Sequence, residues 1–204
     1  MARVKDVTPE TAEGEIAEIF NDSLRQFGRV SNFSQTMALA PAALKAWMTA
    51  NRGVRMKYLK AGDYDFLRIE QMVIIKTSSL NVAEYCLGHN VDLGLEAGLT
   101  PEEVAAVQSD DFAASPLLND AQKTAVRWAE AVTNFAARDD DELFAAMQSH
   151  FSDQQIVELT VLCGMWNWSN RLTEALHVVL EPPGERINFF HRRSDVVPPE
   201  AVQA

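Results

Sequence analysis

GDYDFLRIEQMVIIKTSSLNVAEYCLGHNVDLGLEAGLTPEE, residues 62–103, decides the fold class. Leu67, Ile69, Met72, Val73, Ile74 and Ile75 would clothe a helix in apolar side chains almost all round, the pattern of an element at the centre of a core. The length of this run and its Glu70-Gln71 pair favour helix over buried strand. Asp63 or Asp65 supplies the N-cap. Ser78-Ser79-Leu80-Asn81 breaks the helix, the next runs from Val82 to about Ala97, and Gly98 closes it. Thr100-Pro101-Glu102-Glu103 then opens another in the form of a capping box.

Helical period continues outward in both directions. Towards the N-terminus, Thr8-Pro9-Glu10 reads as a helix start, and Ile16, Ile19, Phe20, Leu24 and Phe27 form one face ending at Gly28. Pro41 starts a segment carrying Leu44, Trp47, Met48 and Val54 that fades near Lys60-Ala61-Gly62. Towards the C-terminus, Asp110-Asp111 and Ser115-Pro116 mark a linker. Helices are expected near 120–136, 140–149 and 152–180. Ser152 caps the last, Ile156, Leu159, Cys163 and Trp166 share its stripe, and Pro182-Pro183-Gly184 ends it. No alternating hairpin pattern occurs, so the fold class is all-α. Gln71-Met72-Val73-Ile74-Ile75 resembles Gln155-Ile156-Val157-Glu158-Leu159. That points to two related helical halves, about 1–112 and 117–181, within one domain 1–181, followed by an extended tail 182–204.

The chain has 204 residues, 47% of them hydrophobic, enough to bury a core without staples. Its net charge of -11 disfavours nucleic acid and anionic membrane surfaces as partners. Two cysteines, Cys86 and Cys163, exclude a disulfide framework and a four-cysteine metal site. The first twenty residues contain no unbroken apolar segment of signal-peptide type, and no run approaches the ~18 apolar residues of a membrane span. A protein of a reducing cytoplasm is expected.

On a helix, Cys86 shares a face with His89 and Asn90, three and four residues on. A histidine there can take the thiol proton and stabilise a thiolate. A buried cysteine with an incidental histidine one turn away has the same spacing.

Taken together, the apolar helix EQMVIIKTSSLN, the tetrad Ala83-Glu84-Tyr85-Cys86, Leu87-Gly88-His89 and the closing EAGLTPEEV resemble the carboxymuconolactone decarboxylase and alkylhydroperoxidase-D-like family. Glu15-Ile16-Ala17-Glu18-Ile19-Phe20 with Gly28-Arg29-Val30-Ser31-Asn32 resembles its N-terminal region. Phe151 to Leu159 with Asn170-Arg171-Leu172 resembles its C-terminal helix. The likeness runs to about Pro182. It implies the family's helical fold and a homo-oligomer, whether dimer, trimer or hexamer. The chain departs from the pattern at three positions. Ala83 stands where the family has its first cysteine, Gln71 where it has a glutamate (Glu70 is one step off), and Asn90 where it has a histidine (His89 is one earlier).

Three functions follow from the resemblance. The first is a cofactor-free, metal-free enzyme doing acid–base chemistry of decarboxylase, lyase or isomerase type on a small lactone or aromatic-derived acid. His89 would be its acid or base, with help from Cys86, and Glu84 or Glu70 the carboxylate partner. Gln71 and Asn90 would donate to a developing enolate, and Tyr85, Glu158 and Trp166 would contact the substrate. Glu84 and Glu70 can equally be ordinary helix-face charges, and Glu158 a tie between helices. The second is a single-thiol peroxidase using Cys86, reduced by Cys163 or an external thiol. The third is a non-catalytic helical assembly module. His191-Arg192-Arg193 in the tail could contact a partner subunit.

Overall fold

The computed structural model describes residues 2–189. Among these the chain is all-helical: α1 (Gly14–Phe27), α2 (Asn32–Met37), α3 (Pro41–Val54), α4 (Met56–Ala61), α5 (Tyr64–Leu80), α6 (Glu84–Glu96), α7 (Pro101–Gln108), α8 (Asp120–Thr133), α9 (Asp141–His150) and α10 (Asp153–Leu176). Short 3-10 turns at Phe112–Ala114 and Ala137–Asp139 flank α8.

The apolar run is the central element, as its composition requires. Leu67, Met72, Val73, Ile74 and Ile75 on α5 are fully buried, and α4, α6, α7, α8 and α10 pack around it. The caps follow the sequence. Asp63 accepts from the Phe66 amide. Thr100 with Glu103, and Ser152 with Gln155, form complete capping boxes.

Four boundaries differ from expectation, each for a local reason. Residues 8–11 form a turn, not a helix start. The Thr8 hydroxyl pairs with Thr11, and Gly14 enters α1 at φ +54°, a left-handed conformation through which no helix passes. The segment after Pro41 is two helices, α3 and α4, meeting at Arg55. α8 ends at Thr133, because Phe135 turns left-handed at φ +58° and the Ala136 amide bonds back to the Ala131 carbonyl. α10 ends at Leu176, short of the expected residue 180. His177 adopts φ +52°, its amide bonds to the Glu174 carbonyl, and the Val178 amide bonds to the Thr173 carbonyl. That pair is a Schellman-type stop made by a histidine in place of glycine. α2, capped by Ser31, was not anticipated at all.

The early stop frees residues 177–189 to run as an irregular strap over the ends of α1, α2 and α6. Asn32 donates to the Val179 carbonyl and Arg29 to the Gly184 carbonyl. Arg186 reaches the Gly88 carbonyl and Asp92, and Glu96 accepts from the Phe189 amide. The described part of the expected tail is therefore docked on the domain. His191, Arg192 and Arg193 lie outside the described residues.

Burial ranks the side chains of the core. Ile74→Ala, at a fully buried α5 position, is expected to destabilise the protein by about 2–5 kcal/mol. Val157→Ala, on an exposed position of α10, should stay within about 0.5 kcal/mol. Urea unfolding midpoints of the two variants check this; equal effects would contradict the packing described.

Candidate functional site

α6 begins at Glu84 after Val82, which turns at φ +51°. From there its buried face presents Tyr85, Cys86, His89, Asn90 and Leu93. The first four of these, with Leu93, form one wall of a cavity of about 80 Å³. The opposite walls come from α2 (Phe33, Ser34), α3 (Trp47, Met48, Asn51), Arg55 and α10 (Trp166, Ser169). Ile187 of the strap closes one side. The aromatic rings pack on one another, Phe33 on Trp47 at 5.0 Å and Trp47 on Trp166 at 5.3 Å between centroids.

His89 is buried, and its Nε2 lies 2.6 Å from Oε2 of Glu181 on the strap. The Glu181 carboxylate also accepts from the Asn32 amide at 2.6 Å and the Tyr85 hydroxyl at 3.1 Å. Burial pushes this carboxyl up. The hydrogen bond and charge of His89, with the backbone amides, outweigh it and hold the group below its ordinary range. Glu181 is therefore ionised, and a carboxylate at Nε2 makes that nitrogen the donor of the ring. Nδ1 has no hydrogen-bond partner within the protein. Tyr85 accepts from the Phe33 amide at 3.0 Å. Burial and the nearby Glu181 charge keep its hydroxyl protonated.

The Cys86 sulfur lies 3.0 Å from the Ser169 hydroxyl and 3.7 Å from that of Thr173. Burial pushes the thiol up to about 11, against the lowering effect of both hydroxyls. At neutral pH it is a thiol, not a thiolate. Burial likewise raises Cys163, on α10, to about 12; both cysteines are free.

Asn90 is held at both ends. Its Nδ2 donates to the Cys86 carbonyl at 2.7 Å and its Oδ1 accepts from Nη1 of Arg55 at 3.2 Å. Arg55 is buried, its Cζ over the ring of Trp166 at 4.8 Å and over that of Phe189 at 5.2 Å from the centroids. Burial lowers it to about 10, so it stays charged at neutral pH.

Of the residues expected at the site, Cys86, His89, Tyr85, Asn90 and Trp166 come together around the cavity. Glu84 is exposed on the outer face of α6. Glu70 and Gln71 are wholly buried in α5 but do not line the cavity, and neither side chain has a hydrogen-bond partner. Burial raises Glu70 to about 9, despite the opposing charge of Arg55, so it stays protonated at neutral pH. Glu158 ties α10 to α4 through Lys57 and the Tyr58 hydroxyl, the latter at 2.6 Å. Glu181 and Arg55 were missed. The β-branched pair Val178-Val179, poor helix formers after a histidine able to turn left-handed, was the available signal for Glu181. Among the described residues no group of three or more His, Cys, Asp or Glu could hold a metal ion, and no helix is long and apolar enough to cross a membrane.

No family model matches the chain. The chain is 27% identical over 110 residues to the uncharacterized protein YnjA of Escherichia coli, a match covering 54% of this chain and 59% of that protein's length. Among solved structures it resembles a peroxidase-related protein with an alkylhydroperoxidase AhpD core from Ralstonia eutropha JMP134. That TM-score is 0.76 at 15% identity, covering 90% of this chain and 94% of that one. It also resembles the debrominase Bmp8, as a cysteine-to-alanine variant in complex with 2,3,4-tribromopyrrole. Here the TM-score is 0.69 at 20% identity, covering 87% and 91% of the two chains. The chain thus has the alkylhydroperoxidase-D-like helical fold that residues 70–103 led us to expect.

Glu70 makes stability depend on pH. Its carboxyl is ionised above about 4.5 when unfolded but keeps its proton to about 9 when folded. The folded state binds the extra proton, so stability falls as pH rises through that window. The slope approaches ~1.4 kcal/mol per pH unit. Glu70→Gln should remove this slope, measured as urea unfolding free energies at pH 6 and pH 8. A variant as pH-sensitive as the wild type would contradict a buried neutral Glu70.

Proposed function

We propose that the protein is a cofactor-free enzyme that moves a proton at carbon on a small organic acid or lactone. The reaction is of decarboxylase, lyase or isomerase type. The observation that carries this reading is the His89–Glu181 pair: a histidine whose Nε2 is held by a half-buried carboxylate and whose buried Nδ1 has no partner in the protein, in the wall of an aromatic-lined cavity. Nδ1 takes a proton from the carbon next to a carbonyl. Glu181 stabilises the imidazolium that forms, as carboxylates beside catalytic histidines do. In an isomerisation the same nitrogen returns the proton to a different carbon; in a decarboxylation the imidazole instead takes the proton of the substrate's carboxylic acid and delivers it to the carbanion left when the C–C bond breaks and carbon dioxide leaves. The aromatic walls of Phe33, Trp47 and Trp166 exclude water and hold a planar substrate. The neutral Cys86 thiol forms part of the wall beside the reacting centre.

A second reading is thiol chemistry at Cys86. Its support is the place of the sulfur in the same wall, and the debrominase of similar fold that binds a brominated pyrrole when its cysteine is replaced by alanine. Against it stands a thiol held in its neutral form with hydroxyls, not a cation, as hydrogen-bond partners.

Loss of α-proton signals in D₂O, followed by NMR across a panel of small lactones and β-keto acids, tests the first reading. His89→Gln should reduce the rate by ~10²–10⁴-fold. Glu181→Gln should fall between that variant and the wild type, and Cys86→Ser within about threefold of the wild type. Abolished turnover in Cys86→Ser with His89→Gln still active would move the function to the thiol.

A further inference from the structure

The cavity contains a buried cation to which no carboxylate of the described residues is hydrogen-bonded. Arg55 is 3% exposed and lines the cavity. It donates to one side chain, Asn90, which is neutral, and its Nε has no partner. The nearby carboxyl, Glu70, makes no hydrogen bond to it, and Glu70 stays protonated at neutral pH. An isolated charge withdrawn from water is strongly unfavourable unless something compensates it. Here the compensation from the protein is limited to the rings of Trp166 and Phe189 on its faces and one amide oxygen at its edge. Nε is buried and unpartnered, and among the described residues the one hydrogen bond of the guanidinium is that from Nη1 to Asn90.

The surroundings are those of a receptor for a small anion. Trp166 and Phe189 fix the plane of the guanidinium, and Asn90 fixes its rotation, since its other end is bonded to the Cys86 carbonyl. Asn90 thereby links Arg55 to the helix that carries His89. A planar fork with fixed orientation is matched by a carboxylate. The cavity volume of about 80 Å³ is roughly half that of a cavity that accepts benzene. It suits an acid with a short carbon skeleton.

We propose that Arg55 is the receptor for a substrate carboxylate, and that the protein binds short-chain carboxylic acids with the carboxylate on Arg55 and the chain towards His89. This deepens the reading above by naming the anchoring group of the substrate, and rests on it only for the identity of the reacting end. Asn90 is a positioning residue that acts through Arg55.

The test uses wild-type protein with propionate and its uncharged isostere propionamide, observed by ¹H–¹⁵N NMR at the Arg55 Nε–H. Propionate should shift this signal saturably, and propionamide should bind at least tenfold more weakly. Arg55→Met should lose the preference for acid over amide. Because that variant could fold poorly, the acid–amide comparison in the wild type decides by itself. Glu84→Gln, on the exposed outer face of α6, should bind propionate like the wild type; an acid–amide preference without proton exchange in any lactone or β-keto acid would defeat the proton-transfer reading and leave this inference intact. Equal binding of acid and amide, no saturable shift with propionate, or equal displacement by inorganic phosphate would each overturn a carboxylate receptor at Arg55.

Discussion

The carboxylate of Glu181 holds together parts of the chain that local sequence would leave apart. It accepts from His89 on α6, from Tyr85 one turn earlier, and from the backbone at the start of α2. A half-buried carboxylate is favoured when its lone pairs are met by donors, and here two helices, α6 and α2, supply three of them. The path of the strap follows from this. Once α10 stops at His177, Val178 to Leu180 must bridge to a point where Glu181 can be satisfied, and that point lies against α6. Gly88 shows how close the approach is: a Cβ there would sit 2.5 Å from the Leu180 side chain. A glycine on α6 and a carboxylate on the strap are two halves of one contact.

That contact also governs the electrostatics of the cavity. With Glu181 ionised, any positive charge acquired by His89 is neutralised on the side away from the cavity. Cys86 therefore gains nothing from it. The thiol is raised by burial, and its partners are the Ser169 and Thr173 hydroxyls. Arg55 remains as a positive charge in the cavity wall, since Glu70 is protonated. The cavity wall thus carries a carboxylate-backed imidazole, a thiol held in its neutral form and a guanidinium to which no carboxylate of the described residues is hydrogen-bonded.

Much of this was legible in the sequence wherever information is local. Asp63, Thr100 and Ser152 announce their helices because a cap is a contact between residues three apart. The all-round apolar run Leu67–Ile75 can lie only at the centre. Cys86, His89, Tyr85 and Asn90 were found together because one helix carries all four. The carboxylate partner was not found there, for two reasons. Glu84 and His89 are five apart on α6, which places them on different faces, and Glu84 is exposed. Glu181 lies 92 residues beyond His89, and reaching it depends on a left-handed histidine where a longer helix was expected. Arg55 was hidden for a similar reason, because a helix read as continuous from Pro41 to Ala61 breaks at that residue and turns it into the cavity.

The three departures from the family pattern form one coherent change when placed in the fold. Ala83 removes the second sulfur from the helix start, so Cys86 has no partner there for a disulfide. Gln71 leaves α5 with an uncharged side chain at the position where the pattern has a carboxylate, and the structure puts no carboxylate of α5 on His89. A histidine paired with no anion could share its proton with a neighbouring thiol and carry charge towards it. Paired with Glu181, Nε2 is committed to the strap, and Nδ1 is the ring nitrogen left without a partner. In this chain the carboxylate on the histidine comes from the strap, at Nε2.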